Sequence, residues 1–301
     1  MRNLPIGIFD SGVGGLTVYR ALHERLPNER FVYLGDTARV PYGTKSLATV
    51  ERYAMENSQF LASRGIKMLI VACNTASALA LPAIRQTVGI EVVGVIGPGA
   101  RKSVEITKDK QFPKIGVIAT EATVASRAYS EAIRKVAAAA EITETACPLF
   151  VSLAEENWIR EPETLSIAQK YLREIIERKV DALVLGCTHY PILREVIQET
   201  VGEKVRLIDS GEATAEEVKK LLKEKSLTNK NRSERTIERR LCDDLDHFYV
   251  TDAAERFARV AERFLGAKPA KLEAIEVFGA DKLENQQDEQ DLQDSFYLKN
   301  H

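Results

Sequence analysis

Short apolar runs alternate along the chain with longer segments in which apolar residues recur at helical spacing. Continuous apolar strands followed by amphipathic helices are typical of βαβ units, in which helices cover both faces of a parallel sheet. The pattern therefore predicts an α/β fold. The clearest predicted helices are Ser46–Arg64, Val124–Ala140, Ile167–Arg178 and Ala253–Phe264. The predicted strands are Ile6–Phe9, Phe31–Gly35, Met68–Ala72, Glu91–Ile96, Lys114–Ala119, Asp181–Gly186, Val205–Ile208 and Phe248–Thr251.

The residues around these strands repeat. The run IGI at 6–8 matches IGV at 115–117, an offset of 109, and IVACNT at 70–75 matches VLGCTH at 184–189, an offset of 114. A third pair, VIGPG at 95–99 and LIDSG at 207–211, has an offset of 112. Three matches in the same order at nearly one offset favour an internal duplication. We therefore predict two pseudosymmetric lobes, each a mostly parallel sheet flanked by helices, with the active site at their interface.

The length of 301 residues also favours two lobes. We expect residues 1–97 and 213–266 to form the first lobe and residues 98–212 the second. The late strand and its amphipathic helix need a sheet to cover, so they are expected to return to the first lobe. Residues 267–301 are expected to form a polar tail, because 284–294 is apolar only at Leu292.

Charge and composition narrow the functional classes. The 42 basic and 44 acidic residues nearly cancel, which argues against a nucleic-acid partner. The basic stretch 219–240 is interleaved with glutamates and is expected to be solvated. No apolar run reaches the roughly 18 residues that span a bilayer, and the early strand argues against a signal peptide. Four cysteines form a poor disulfide framework. We expect a cytoplasmic protein with a small-molecule substrate and no membrane partner.

Two of the four cysteines are candidates for chemistry. Cys73 and Cys187 each follow a predicted strand at a strand-to-helix turn, the edge where parallel sheets bind ligands. The backbone N–H groups and the helix dipole at such a turn favour an anion, which lowers the pKa of a thiol. Cys147 and Cys242 lack a polar cluster and are expected to be structural.

Several chemistries could use two such thiols. A redox pair or disulfide needs the sulfurs within bonding distance. A zinc site is disfavoured, because only His189 accompanies Cys187 and no CxxC motif occurs. A single nucleophile, Cys187 with His189, would suit a hydrolase or decarboxylase. A non-catalytic amino-acid binding protein is a further alternative. Only acid–base catalysis from opposite faces of one carbon, which inverts a stereocentre, explains one thiol in each lobe.

Polar residues after the other strands extend the candidate site. The loop DSGVGG at 10–15 fits neither a dinucleotide fingerprint nor a phosphate loop. Its Asp10 could bind an ammonium group, orient a thiol or cap a helix. Asp36 follows the second strand, and the loop 41–44 could hold a carboxylate through its N–H groups and a hydroxyl. Thr120 and Thr123 occupy the corresponding place in the second lobe.

Longer motifs resemble the glutamate racemases of the aspartate/glutamate racemase superfamily over about residues 5–266. The paired ACNT and GCTH signatures are the most specific. The matching segments are IGIFDSGVGGLTV (6–18), YLGDTARVPYG (33–43), IVACNTASA (70–78), CPLF (147–150), LGCTHYPIL (185–193) and IDSGEATA (208–215).

The resemblance implies a homodimer that uses no pyridoxal phosphate, metal or nucleotide and supplies D-glutamate for peptidoglycan. It implies that Cys73 acts on the D-enantiomer with help from Asp10, and Cys187 on the L-enantiomer with help from His189. Asp36 and Glu155 match further catalytic acids. The implied substrate-binding residues are Asp10, Ser11, Pro41, Tyr42, Gly43, Cys73, Asn74, Thr75, Thr120, Thr123, Cys187, Thr188 and His189.

The chain departs from the family pattern at three positions. Gly97 stands where many members carry Glu, and Ser152 and Asn157 replace the usual proline and glycine near Glu155. The residues do not by themselves separate glutamate from another acidic amino acid, since one methylene is worth only about 1–3 kcal/mol in a pocket.

Overall fold

The computed structural model describes residues 1–229 and 239–277. The strands in these residues are β1 (Ile6–Asp10), β2 (Phe31–Gly35), β3 (Met68–Val71), β4 (Glu91–Gly94), β5 (Lys114–Ala119), β6 (Glu141–Ala146), β7 (Ala182–Gly186), β8 (Arg206–Asp209), β9 (His247–Val250) and β10 (Leu272–Ala274).

Helices connect the strands. They are α1 (Leu16–Arg25), α2 (Leu47–Ser63), α3 (Asn74–Leu79), α4 (Leu81–Thr87), α5 (Ile96–Ile106), α6 (Glu121–Ser126), α7 (Ala128–Val136), α8 (Leu149–Glu155), α9 (Pro162–Tyr171), α10 (Arg173–Glu177), α11 (Arg194–Val201), α12 (Ser210–Glu224) and α13 (Ala254–Leu265). Short 3₁₀ helices span Tyr42–Thr44 and Tyr190–Leu193. No helix in these two ranges is long and apolar enough to cross a membrane.

The strands form two sheets in which every pairing is parallel, which confirms the predicted α/β class. The larger sheet has the order β10-β9-β2-β1-β3-β4, and the smaller has the order β6-β5-β7-β8. The four strands β2-β1-β3-β4 therefore have the same arrangement as β6-β5-β7-β8, as a duplication requires. In the third repeat, the helices that follow β4 and β8 start at Ile96 and Ser210, 114 residues apart and not 112.

The set of strands in each sheet supports the two predicted lobes. We propose the lobe boundaries as the sequence predicts them. β9 returns to the first sheet and pairs with β2. Beyond Gly266, β10 pairs with β9, and Ile275 and Val277 pack against the apolar cluster of the first lobe. The start of the predicted tail is therefore attached to the first sheet. The polar run 284–294 lies outside the described residues.

Two predicted helices differ from the observed elements, and two observed strands, β6 and β10, were not predicted. The predicted helix 124–140 is interrupted at Arg127, whose φ of 58° is left-handed, and it ends at Val136. The predicted helix 167–178 is part of α9 and α10, which meet at Leu172. The edge strand β6 was missed, because its half-exposed residues are mostly polar, with only Ile142 and Ala146 apolar, and do not form a continuous apolar run.

The lobes share a buried core. The interior of the first sheet continues through Tyr19 and Val18 of α1 to Val218 of α12, and on to Phe150 and Tyr190 beside the second sheet. α1 and α12 pack against each other. This contact fixes the carboxyl ends of the strands in both sheets around a common space.

Candidate active site

A cavity of about 190 Å³ lies between the lobes. It is smaller than the roughly 300–1,000 Å³ typical of sites for drug-sized ligands, so it suits a small molecule. Both candidate thiols line it, which places one sulfur from each lobe on a common space. The full lining is Ser11, Gly12, Val40, Pro41, Tyr42, Gly43, Thr44, Cys73, Asn74, Thr75, Thr120, Glu121, Pro148, Val151, Ser152, Glu155, Cys187, Thr188 and His189.

Both sheets present their carboxyl ends to this cavity. In each sheet, the chain leaves the first strand for a neighbour on one side and then returns to the other side, so β1/β3 and β5/β7 are switch points. Crevices at switch points are where open α/β sheets bind ligands. Cys73 follows β3 and Cys187 follows β7. A larger groove of about 740 Å³ on the outer side of β5 and β6 contains neither thiol.

Cys73 is a buried thiol at the start of α3. Its Sγ accepts a hydrogen bond from the backbone N–H of Ala76 at 3.5 Å. Burial and the Asp10 carboxylate raise the pKa of the Cys73 thiol to about 12, although hydrogen bonds from Ser11 and Ala76 oppose the shift. A raised pKa favours the protonated thiol at neutral pH, contrary to the lowered pKa that the turn alone predicts.

Cys187 belongs to a chain of polar groups. Its Sγ lies 3.9 Å from Nδ1 of His189, and Nε2 of the same ring lies 3.0 Å from Oε1 of Glu155. Burial alone would lower the pKa of His189, but Cys187 and Glu155 raise it to about 10. Burial would likewise raise the pKa of Glu155, yet His189 and Arg256 hold it below its usual value. His189 is therefore an imidazolium at neutral pH, with one N–H directed at each partner.

Asp10 lies behind the cavity wall and not in its lining. The backbone N–H of Gly12 donates to its Oδ2 at 2.9 Å. Burial raises the pKa of the Asp10 carboxyl, against the opposing effects of His189 and of nearby backbone N–H groups. Asp10 is close enough to act electrostatically on both Cys73 and His189.

The glycines of the 10–15 loop allow the lobes to approach each other. A Cβ on Gly14 would stand 2.3 Å from Oγ1 of Thr188 and 2.5 Å from Nδ1 of His189. Thr17, the second residue of α1, donates from its hydroxyl to the backbone oxygen of Thr188 at 2.8 Å. This glycine-rich loop therefore serves close packing against the Cys187 turn, which explains why it fits no phosphate-binding pattern.

Several neutral donors also line the cavity. The hydroxyls of Thr75, Thr120 and Thr123 form a cluster with Oγ1–Oγ1 distances of 2.9–3.3 Å that bridges the lobes. Thr123 lies behind Thr120 and does not line the cavity. Asn74 accepts from the Tyr129 hydroxyl at 2.7 Å, and its buried Nδ2 has no hydrogen-bond partner among the described residues. That amide can donate to a ligand.

Asp36 was predicted as catalytic, but the structure places it beneath the loop 41–44 and outside the cavity lining. Its two oxygens accept from Tyr42 OH, from Asn57 Nδ2 at 3.0 Å, from Thr251 Oγ1 at 2.9 Å and from Arg39. The carboxylate is buried, and both of its oxygens accept hydrogen bonds from protein donors. Asp36 therefore positions the loop that lines the cavity.

Some lining residues were not predicted. Pro148, Val151 and Ser152 follow β6 and line the cavity. Because the sequence pattern does not predict β6, it also does not predict that residues at the carboxyl end of this strand face the site. The available signal was the place of 141–146 in the repeat, which is equivalent to that of β2 in the first lobe. Glu121 follows Thr120 directly and was overlooked beside it.

The lining contains no lysine or arginine among the described residues. A carboxylate ligand would therefore be held by hydroxyls, the Asn74 amide and backbone N–H groups. Within residues 1–229 and 239–277, no group of three or more His, Cys, Asp or Glu side chains could hold a metal ion.

Comparisons with known proteins identify one family. The sequence profile described as Asp/Glu/Hydantoin racemase matches residues 6–218. A glutamate racemase from Geobacter metallireducens is 49% identical over 263 residues, which cover 87% of this chain and 93% of that relative.

Solved structures agree. A glutamate racemase from Bacillus anthracis has a TM-score of 0.84 and 33% identity, covering 92% of this chain and 99% of that one. A glutamate racemase from Francisella tularensis, solved with D-glutamate, has a TM-score of 0.82 and 37% identity at the same coverages. The predicted resemblance is confirmed.

Proposed function

The chain belongs to the Asp/Glu/Hydantoin racemase family, and from this premise we propose that it interconverts L- and D-glutamate by proton transfer between Cys73 and Cys187. The observation that carries the proposal is that one thiol from each duplicated lobe lines the same small cavity. The family relatives named above are glutamate racemases, which supports glutamate as the substrate.

Two opposed thiols fit the inversion of a stereocentre. A substrate α-carbon held between the sulfurs loses its proton to one thiolate and receives a proton on the opposite face from the other thiol. For L-glutamate, Cys187 is the base and Cys73 the acid, and the roles reverse for D-glutamate. After one turnover the protonation states of the two sulfurs are exchanged, so the product side is ready for the reverse reaction.

Different neighbours set the protonation states of the two sulfurs. We propose that the His189 imidazolium stabilises a thiolate at Cys187, because it directs Nδ1 at that sulfur. Cys73, buried beside the Asp10 carboxylate, favours the protonated state, which suits the acid in the L-to-D direction. In the reverse direction Asp10 accepts or relays the proton that Cys73 must release.

Neutral donors would hold the two carboxylates and stabilise the carbanion. We assign the threonine cluster, the Asn74 amide, Ser11, Thr188 and the backbone of loop 41–43 to substrate binding. Preorganised donors around the α-carboxylate stabilise the charge that develops as the proton leaves. The side-chain carboxylate supplies binding energy remote from the reacting carbon, which positions that carbon between the sulfurs.

The biological setting follows from the activity. D-Glutamate produced in this way would be supplied to peptidoglycan synthesis. The homodimer and the cytoplasmic location predicted from the sequence remain predictions.

The test is circular dichroism of L- and D-glutamate incubated separately with purified protein and no added cofactor, in deuterium oxide. We expect both solutions to lose optical activity and the α-carbon to gain one deuterium. Decarboxylation or hydrolysis would change the substrate mass beyond this exchange. Glutamate binding without exchange would identify a binding protein, and either result would overturn the proposal. Aspartate, assayed alongside, tests the second candidate, a racemase of another acidic amino acid.

A further inference from the structure

Helix α13 contacts the Cys187 half of the site through three side chains. Nη2 of Arg256 lies 3.0 Å from Oε2 of Glu155, and Nη1 of Arg263 donates to the backbone oxygen of Glu155 at 2.8 Å. The ring of Phe264 stands edge-on to His189, with centroids 6.2 Å apart and planes at 86°. α13 follows β9 of the first sheet, whereas Glu155 ends α8 beside the second sheet. These contacts therefore cross between the lobes.

The two oxygens of Glu155 have separate partners. Oε1 meets Nε2 of His189 and Oε2 meets Arg256. The carboxylate can keep its angle toward the imidazole only if the second oxygen is also held, because a carboxylate on a flexible side chain otherwise rotates freely. Arg263 holds the backbone at the same residue, so both ends of Glu155 are fixed from α13.

We propose that Arg256 is a positioning residue for the Cys187 half of the reaction: by holding Glu155 it keeps the His189 imidazole directed at the Cys187 sulfur. The inference rests on the proposed racemisation and assigns α13, which contributes nothing to the cavity lining, a part in it. The contacts by which α13 joins the two lobes would therefore also orient His189.

A racemase imposes a constraint that makes the inference testable. Enantiomers have equal free energy in water, so kcat/KM must be the same in both directions, and a change on one side of the site lowers both equally. The side that is damaged shows instead in the substrate isotope effect. If proton transfer at Cys187 becomes more limiting, α-deuterated L-glutamate breaks its C–D bond in the limiting step, whereas α-deuterated D-glutamate breaks it in the other step.

The experiment compares Arg256→Gln, Arg256→Lys and the control Arg259→Gln. Arg259 lies one turn further on the same helix, is exposed and makes no ion pair with any described residue, so its substitution removes the same charge away from Glu155. The exposed Arg256 contact predicts a fall in kcat/KM of about two- to fivefold for Arg256→Gln. The isotope effect should rise for L-glutamate and fall toward unity for D-glutamate. Arg256→Lys should restore most of both, because the contact uses a single nitrogen.

The outcomes separate this inference from the function on which it rests. With an active parent enzyme, the inference is overturned if Arg256→Gln behaves like Arg259→Gln, if it lowers kcat/KM without opposite changes in the two isotope effects, or if lysine gives no rescue. Unchanged midpoints of thermal unfolding exclude a loss of fold as the cause. A parent enzyme that does not racemise glutamate would overturn the proposed function itself.

Discussion

The two thiols occupy equivalent places in the duplicated fold but have different surroundings. Cys73 is held by groups from its own lobe, namely the N–H of Ala76, Ser11 and the carboxylate of Asp10. Cys187 begins a chain that runs through His189 and Glu155 to Arg256 at the surface. One sulfur lies beside a buried anion and the other beside an imidazolium.

This difference shows what duplication preserves and what it leaves free. Strand order and the strand-to-helix turn place a sulfur at the same point of each lobe. The residue two positions later is Thr75 in the first lobe and His189 in the second, and the end of the first strand is Asp10 in one and Ala119 in the other. A buried carboxyl group beside one sulfur and an imidazolium beside the other make the two places chemically unequal, and a reaction with one acid and one base uses such a difference.

The largest expected effect comes from removing either sulfur. Cys73→Ala and Cys187→Ala should each abolish racemisation in both directions, a loss of at least about 10³-fold, because each turnover needs both an acid and a base. The measurement is the loss of optical activity from L- and from D-glutamate. Cys242→Ala, which removes a buried thiol outside the cavity, is the control and should retain activity. Full activity after either replacement in the cavity would contradict the two-thiol mechanism.

The next largest expected effect distinguishes the Cys73 side of the site from the Cys187 side. Asp10→Asn and His189→Asn should each lower kcat/KM by about 10²-fold, within the range of a single acid–base group. Their isotope effects should differ: His189→Asn raises the effect for α-deuterated L-glutamate, and Asp10→Asn raises it for D-glutamate. The same change in both variants would mean that the two residues serve one common step, and the contrast between the halves would be lost.

The thiols were predictable from the sequence, and their surroundings only in part. Cys73 and Cys187 follow continuous apolar strands in a repeat. Their place at the edge of a sheet, and the presence of one thiol in each lobe, could therefore be predicted from the sequence. The turn alone predicts a lowered pKa for Cys73. The structure gives the opposite because the thiol is buried and because Asp10, 63 residues away in the chain, lies close to it.

Contacts distant in sequence account for the other differences. The role of Asp36 depends on Asn57 and Thr251, and that of Glu155 on Arg256, and no local pattern encodes these partners. The edge strand β6 lacks the apolar continuity by which eight other strands were predicted, so the lining residues after it were missed.

A third, smaller effect should fall on both halves alike. Asp36→Asn replaces a buried carboxylate that accepts several hydrogen bonds, so we expect about 1.5–3 kcal/mol less stability toward urea and a raised KM as loop 41–44 loosens. Both isotope effects should keep their ratio, because we assign the loop to substrate binding and not to proton transfer at either sulfur. Tyr42→Phe, which removes one of the donors, should cost about 1 kcal/mol. A strong shift of one isotope effect by Asp36→Asn would instead place Asp36 with that half.

The smallest effect concerns the end of α8, which holds Glu155. Asn157 has a left-handed φ of 63°, and the backbone N–H groups of Asn157 and Trp158 donate to Ala154 at 3.1 Å and Leu153 at 2.9 Å to end the helix. Asparagine tolerates this conformation better than other residues with a Cβ, so it can replace the glycine expected here. Asn157→Ala should lower the free energy of unfolding by about 1 kcal/mol, and Asn157→Gly should change it by less than about 0.5 kcal/mol.

Kinetics distinguish this helix end from an ordinary left-handed turn. Lys179, with a φ of 52°, lies before β7 and away from the cavity lining, so Lys179→Gly should affect stability alone. Because Asn157 stands two residues beyond Glu155, the strain in Asn157→Ala should reach His189 and raise the isotope effect slightly for α-deuterated L-glutamate. It should leave the proton transfer at Cys73 unaffected, because the end of α8 contacts His189, which lies beside Cys187. A variant that loses stability but keeps both isotope effects would show that the end of α8 supports the fold without orienting the imidazole. The difference between the Cys73 and Cys187 sides of the site would then depend on His189, Glu155 and Arg256 alone.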